Sequence, residues 1–251
     1  MIIWITGASD GIGKAVALAY LLDGHSVVGT GRSADKLTAL ELEAAPLPGQ
    51  FRGLAADVAD KVAMTLAWQQ AKDATGLPDI LILNAGTHFE TPVEAFSVDD
   101  HRTIMDVNYF GVLNSLEPLL GDLMVRGHGQ VAIVSSLAGY RGLPPASAYG
   151  ASKAALINFT ETFQPELARH NIDLRLVNPG FVETPLTDQN SFPMPFLISA
   201  EKAAERLIKG LDGKRFEITF PRRFAFVMKL LRILPYGLYL RLTKRLLRKP
   251  D

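Results

Sequence analysis

The sequence predicts an α/β protein: a doubly wound parallel sheet of about seven strands, flanked by helices on both faces. Two patterns carry that expectation. Short apolar runs rich in β-branched residues recur at residues 2–6, 26–31, 51–56, 80–83, 131–135, 174–177 and 216–220, mostly with the length of buried strands. Between them lie longer segments with helical spacing, at 12–22, 62–74, 99–124, 149–169 and 200–211. Sheets of this kind bind ligands in the crevice beyond the carboxyl ends of their strands, so function is expected in the loops that follow the strands.

Bulk properties fit one folded unit. At 251 residues and 48% hydrophobic composition, the chain can bury a full core in a single domain, expected over residues 1–221, with an extension at 222–251. There is no cysteine, which excludes disulfides, thiolate nucleophiles and cysteine-ligated metals. The five histidines (His25, His88, His101, His128 and His170) lack metal-ligand spacing, and no metal site is assigned. Met1 leads straight into an apolar strand without the signature of a secretory leader, so a cytoplasmic location is expected. The formal charge of zero is unevenly spread: residues 216–251 hold nine Lys or Arg against Glu217 and Asp251, and the rest of the chain is acidic in compensation.

Taken in order, the first strand runs into Thr6-Gly7-Ala8-Ser9-Asp10-Gly11-Ile12-Gly13, which opens the first helix. Glycines there permit a tight turn and let backbone approach a pyrophosphate, whose charge the helix N-terminus stabilises. The spacing is G-x-x-x-G-x-G, and its place between strand and helix strengthens it. The fifth strand ends at Ser135-Ser136, and Tyr149 and Lys153 follow four residues apart at the head of a helix. That spacing puts both side chains on one face, where an ammonium favours the phenolate. A tyrosine with an unperturbed pKa of about 10 needs such help to exchange protons at neutral pH.

With these, the sequence has Asp57-Val58 after the third strand and Asn84-Ala85-Gly86 after the fourth. It also has Asn108 in Val107-Asn108-Tyr109, and Pro179-Gly180-Phe181-Val182-Glu183-Thr184 after the sixth. In this order and at this spacing, over residues 1 to about 220, the chain resembles the short-chain dehydrogenase/reductase family. The resemblance implies a Rossmann-type fold and an NAD(P)-dependent oxidoreductase that interconverts a ketone or aldehyde and its alcohol. It implies four catalytic residues: Ser136 bonding the substrate oxygen, Tyr149 as general acid/base, Lys153 holding the nicotinamide ribose and lowering the Tyr149 pKa, and Asn108 positioning a water. It further implies cofactor contacts from Gly7, Ser9, Asp10, Gly11, Ile12 and Gly13. Asp57 would bind the adenine amine, Val58 its ring edge, and Asn84, Ala85 and Gly86 the middle of the cofactor. Pro179 and Gly180 lead to Val182 and Thr184, which would hold the carboxamide. The alternative reading is a catalytically silent dinucleotide-binding or membrane-recruited scaffold of the same fold.

The end of the second strand reads Thr30-Gly31-Arg32-Ser33, with no carboxylate before Asp35. Arg32 offers a fork to a 2′-phosphate and Ser33 and Thr30 offer hydroxyls, so NADP(H) is preferred over NAD(H). Against this, Asp10 stands where many NADP-preferring relatives carry a basic residue. The long loop 184–195 and its neighbour Phe196 supply Leu186, Phe192, Met194 and Phe196. They are suited to a lid over a hydrophobic substrate or to packing among themselves. In the tail, Arg241, Lys244, Arg245 and Arg248 form a basic stripe, with Leu238, Tyr239, Leu242 and Leu246 on the opposite face. Such a helix serves an anionic membrane surface, the enzyme's own body or a dimer mate, with nucleic acid disfavoured. A homodimer or homotetramer is expected, as is a location in the cytoplasm or at the inner face of a membrane.

Overall fold

A computed structural model describes residues 1–189 and 194–246 of the chain. Its centre is a seven-stranded sheet in the order β3-β2-β1-β4-β5-β6-β7, with every neighbouring pair parallel. The strands are β1 (Ile2–Thr6), β2 (Ser26–Gly31), β3 (Gln50–Ala55), β4 (Ile80–Leu83), β5 (Gly129–Val134), β6 (Ile172–Pro179) and β7 (Glu217–Phe220). The order reverses between β1 and β4, which opens a crevice at their carboxyl ends.

Helices close both faces. On one side α1 (Gly11–Leu22) and α7 (Ala200–Leu211) pack with α2 (Ala34–Ala44) against Ile3, Ile5, Ile82 and Val177. On the other, α3 (Lys61–Thr75), α5 (Gly111–Arg126) and α6 (Ser147–Ala168) cover Trp4, Leu81, Leu83 and Ile133. Trp4 of β1 stacks on Trp68 of α3 with ring centroids 5.0 Å apart. Each fully buried aliphatic or aromatic side chain of this kind stabilises the fold by about 1.5–3 kcal/mol relative to exposure.

Two elements differ from the sequence expectation. Helix α2 was not anticipated: it buries Leu37, Leu40 and Ala44 along one side, and Ser33 caps it by accepting from the Lys36 backbone N–H at 3.4 Å. The single helix expected over 99–124 is α4 (Val98–Met105) and α5, joined by a π-helical segment at residues 106–110. Segments of this kind often sit at functional sites, and this one carries the fully buried Asn108.

The chain after β7 forms α8 (Arg222–Ile233) and α9 (Tyr236–Thr243), separated at Leu234-Pro235. Ala225 and Met228 of α8 pack on Leu137, Tyr140, Ile157 and Leu176. Arg141 fastens the tail: its guanidinium donates to the carbonyls of Leu231 and Leu234 at 2.6 Å, satisfying groups a helix end leaves open. It also lies 3.9 Å from the centroid of the Tyr239 ring, whose hydroxyl donates to Gly142 O at 2.5 Å. Lys229 pairs with Glu217 at 2.5 Å. Leu238 and Leu242, expected on one apolar face with Tyr239, are exposed, while Tyr239 and Thr243 are the buried pair. Arg248 lies outside the described residues. Among those described, no helix is long and apolar enough to cross a membrane.

Candidate active site

The crevice at the β1/β4 switch is a cleft of about 340 Å³ that runs from the end of β2 to the head of α6. Its floor starts with the turn after β1, where Gly7 (φ +69°) and Gly11 (φ +52°) hold left-handed backbone that favours glycine. A side chain at Gly13 has no room: a Cβ there would stand 2.1 Å from Gly7 O and 2.7 Å from Asn84 Nδ2. Gly13→Ala is therefore expected to lower stability by about 1–3 kcal/mol and to damage nucleotide binding, read by denaturant unfolding and titration. The N-cap residue of α1, Asp10, makes no side-chain capping bond, and the first turn of a helix leaves backbone N–H groups without intrahelical partners. With Gly7, Ser9, Gly11 and Ile12 lining the same wall, the donor set and the missing side chains suit a pyrophosphate.

Thr6 builds this turn, a role the sequence reading missed. Its hydroxyl oxygen accepts from the backbone N–H groups of Asn84 (3.0 Å) and Ala85 (3.1 Å), clamping the loop after β4 to the end of β1. Asn84 returns the clamp, its side chain donating to the carbonyls of Thr6 and Gly7 at 3.2 Å. Asn84 thus shapes the turn with its amide and lines the cleft together with Ala85 and Gly86.

At the β2 end, Arg32 is exposed on the rim, and Asp57 and Val58 line the adjoining wall. The Asp57 carboxylate accepts from Ala59 N at 3.0 Å, and the Val58 side chain fills the space beside Gly111. Ser33 is not among the lining residues, being engaged as the α2 cap, and Thr30 is fully buried in the sheet. Lys36, not singled out in the sequence, places its ammonium 2.9 Å from the Asp10 carboxylate.

The opposite end holds the reactive side chains. Ser136, just after β5, is buried, accepts from Ala138 N at 3.1 Å and donates to Pro179 O at 3.4 Å, and it lines the cleft with Tyr149. Burial raises the Tyr149 pKa above its ordinary value, and the Ser136 hydroxyl opposes that rise. Lys153 is buried one helical turn further on, its ammonium donating to Val134 O at 2.9 Å and lying 5.7 Å from the Tyr149 ring centroid. Desolvation brings the Lys153 pKa down to about 8. Burial is the largest influence on Tyr149 in this arrangement.

Asn108 links the loop after β4 to α6. Its amide donates to Ser152 Oγ (2.9 Å) and Thr87 O (3.0 Å), and its oxygen accepts from Thr87 N (2.7 Å). A Cβ on Gly86 would approach Asn108 Oδ1 to 3.2 Å and Lys153 Nζ to 3.5 Å, so glycine leaves the space that these two share. Ser135 donates to Lys153 O at 2.7 Å, tying β5 to α6. His88 is buried with its ring 4.7 Å from that of Tyr149, packing the tyrosine rather than lining the cleft.

The loop after β6 closes the cleft. Pro179, Gly180, Val182 and Thr184 line it, followed by Leu186. Thr187 Oγ1 donates to Val182 O at 2.6 Å, and the Thr184 methyl sits against Gly11, within 2.8 Å of where a Cβ would project. Of the other apolar lid residues, Phe196 is exposed and stacks near Phe224 of α8, Met194 is half-buried, and Phe192 lies outside the described residues.

The family model described as short chain dehydrogenase matches residues 1–193. The chain belongs to the short-chain dehydrogenase family. It is 35% identical over 243 residues to an uncharacterised oxidoreductase of Myxococcus xanthus, covering 96% of each chain. It is 33% identical to the 3-oxoacyl-(acyl-carrier-protein) reductase of Thermotoga maritima, covering 85% of each. A short-chain dehydrogenase/reductase from Burkholderia phymatum, solved with NAD, superposes with a TM-score of 0.85 at 19% identity, covering all of this chain and 97% of that one, a likeness of fold. As a short-chain dehydrogenase, the protein is an oxidoreductase of the Rossmann-type α/β class.

Proposed function

We propose that this short-chain dehydrogenase is an NADP(H)-dependent oxidoreductase that interconverts a ketone or aldehyde on a hydrophobic body with its alcohol, with Tyr149 as general acid/base. The observation that carries the proposal is the meeting of Ser136, Tyr149 and Lys153 at one end of a cleft whose other end presents Arg32 and whose floor is the side-chain-free turn of Gly7, Gly11 and Gly13. The nicotinamide, when bound, supplies or accepts the hydride. The protein's task is the proton and the charge. Tyr149 delivers its hydroxyl proton to the carbonyl oxygen as negative charge grows there, and Ser136 adds a second hydrogen bond to the same oxygen. Lys153 would hold the ribose hydroxyls and carries positive charge near the phenol at neutral pH. Asn108 holds the backbone at Thr87 and the Ser152 hydroxyl, and would order the water that returns a proton through Lys153.

For the remaining contacts, Asp57 and Val58 suit the adenine, Asn84, Ala85 and Gly86 the middle of the nucleotide, and Val182 and Thr184 the carboxamide. Leu186, on the wall of the cleft, supports an apolar substrate. The preference for NADP(H) rests on Arg32 and gains from Lys36, which offsets the Asp10 carboxylate that would repel a phosphate. Arg32→Asp is expected to weaken NADPH relative to NADH by about 10–100-fold, the worth of one charge-assisted contact. Initial rates with each nucleotide over a panel of ketones and long-chain aldehydes test both statements; equal NADPH preference in the variant defeats the assignment of Arg32, and no turnover with any carbonyl or alcohol defeats the activity. Residues 1–221 would form the catalytic unit, assembled as a homodimer or homotetramer in the cytoplasm, with the outer side of the packed extension at 222–251 available to the inner face of a membrane.

A further inference from the structure

The tail helices are fastened to the body on one side and bear apolar residues on the other. In α8 the inward residues are Ala225 and Met228, while Phe226, Leu230 and Ile233, spaced i, i+4, i+7, form an outward stripe; Phe226 is 64% and Ile233 77% exposed. In the next helix Tyr236, Leu238, Leu240 and Leu242 are exposed as well. A water-facing helix surface normally carries polar groups. Here the polar groups at the margin are all of one sign. Residues 222–246 contain seven Lys or Arg and no Asp or Glu. Lys229 pairs with Glu217 and Arg232 lies near the Tyr140 ring. The other five, Arg222, Arg223, Arg241, Lys244 and Arg245, enter no ion pair among the described residues, and all five are exposed.

We propose that the outer surface of α8 and α9 docks on an anionic lipid bilayer, lying in the interface with Phe226, Leu230 and Ile233 among the acyl chains and the basic side chains at the headgroups. Three observations select this occupant. Apolar residues flanked by unpaired cations match the chemistry of an anionic interface, where burial and charge act together. A second copy of the chain seated symmetrically on the same surface would set cation against cation, with no acidic residue in residues 222–246 to answer it. The helices are also too short to cross a membrane, which leaves the interface as the depth they can reach.

The surface is continuous with the walls of the cleft. Phe224, in the first turn of α8, stacks on Phe181 (5.4 Å) just after the Pro179-Gly180 turn, and on Phe196 (6.1 Å) of the loop after β6. Tyr239 and Arg141 tie α8 and α9 to the segment that leads from Ser136 to Tyr149. Docking thus brings both loops beside the active site to the bilayer, and the carbonyl substrate is one that partitions into lipid. This last step rests on the oxidoreductase reading above; the docking does not.

The test is flotation of full-length protein with vesicles of phosphatidylcholine alone or mixed with phosphatidylserine, at low and high salt. Binding is expected to the mixed vesicles, to weaken as salt screens the charge, and to fall at least about tenfold in Phe226→Glu/Leu230→Glu and in Arg241→Glu/Lys244→Glu/Arg245→Glu. Both variants are expected to keep the wild-type circular dichroism and the wild-type rate on a water-soluble aldehyde, because neither touches the cleft. Mixed vesicles should raise the rate on an embedded long-chain ketone and leave that on the water-soluble aldehyde unchanged. Wild-type protein that stays at the bottom of the gradient at low salt overturns the docking, as do variants that float equally well or a loss of oligomer mass in the variants without vesicle binding by wild type. Such a protein that still reduces soluble carbonyls leaves the oxidoreductase reading intact, whereas one that floats and reduces nothing upholds the docking and removes that reading.

Discussion

Tyr149→Phe is expected to slow carbonyl reduction by about two to four orders of magnitude while leaving nucleotide affinity and the unfolding midpoint close to wild type. The substitution removes one oxygen from a ring that otherwise keeps its neighbours, His88 at 4.7 Å and the Lys153 ammonium at 5.7 Å. What is lost is the exchangeable proton. Because burial holds the Tyr149 pKa above its ordinary value, the hydroxyl stays protonated through the neutral range and is ready as an acid. Reduction should therefore be level with pH near neutrality and decline only in alkali, whereas alcohol oxidation, which needs the phenolate, should climb with pH. Steady-state rates in both directions from pH 6 to pH 10, for wild type and variant, check this. A variant within a few-fold of wild type, or an oxidation rate that falls as pH rises, removes Tyr149 from the acid/base role.

Much of this geometry is legible in the sequence because it depends on local pattern. The apolar runs that become β1, β4 and β5 are buried on both faces, so they read as continuous Ile, Val and Leu, and Gly7, Gly11 and Gly13 announce a turn where side chains have no room. Tyr149 and Lys153 share a helix face by spacing alone. What escaped depends on partners distant in sequence. Helix α2 shows only Leu37, Leu40 and Ala44 as its buried face, and its cap, Ser33, looks equally like a phosphate ligand. Thr6 gains its role from backbone amides 78 and 79 residues away. The extra width of the π-helical turn that aims Asn108 at Thr87 and Ser152 leaves no mark in the residue types of 106–110. The tail divides the same way: its cations and apolar residues are plain, but Arg141, which fixes the ends of α8 and α9, lies about ninety residues earlier.

Lys153→Met is expected to abolish most activity and yet to make the nucleotide-free protein more stable at neutral pH. The fold takes the Lys153 ammonium out of water with one hydrogen bond, to Val134 O, as compensation, and its pKa falls from 10.5 to about 8. At about 1.4 kcal/mol per pH unit, that drop corresponds to about 3 kcal/mol of destabilisation by the charged form. The sign follows from proton counting. Below pH 8 the folded and unfolded chains both hold the proton, so the full penalty applies. Between pH 8 and 10.5 the folded chain has released the proton and the unfolded chain has not, so wild-type stability rises with pH relative to the variant. Above 10.5 both are neutral and the charge-derived gain of Lys153→Met is gone. Losing the bond to Val134 O takes back about 1 kcal/mol, which leaves a net gain of about 2 kcal/mol at pH 7. Denaturant unfolding of both proteins at pH 7 and pH 10.5 measures it, and a variant less stable at pH 7, or a gain equal at both pH values, shows that the ammonium is not strained in the empty site. NADPH should reverse the ranking, since the proposed ribose contact with Lys153 gives the wild type a larger shift in midpoint than the variant. Placing a costly cation where the nucleotide would relieve it links stability to loading, which is the trade of stability for function expected of a catalytic lysine.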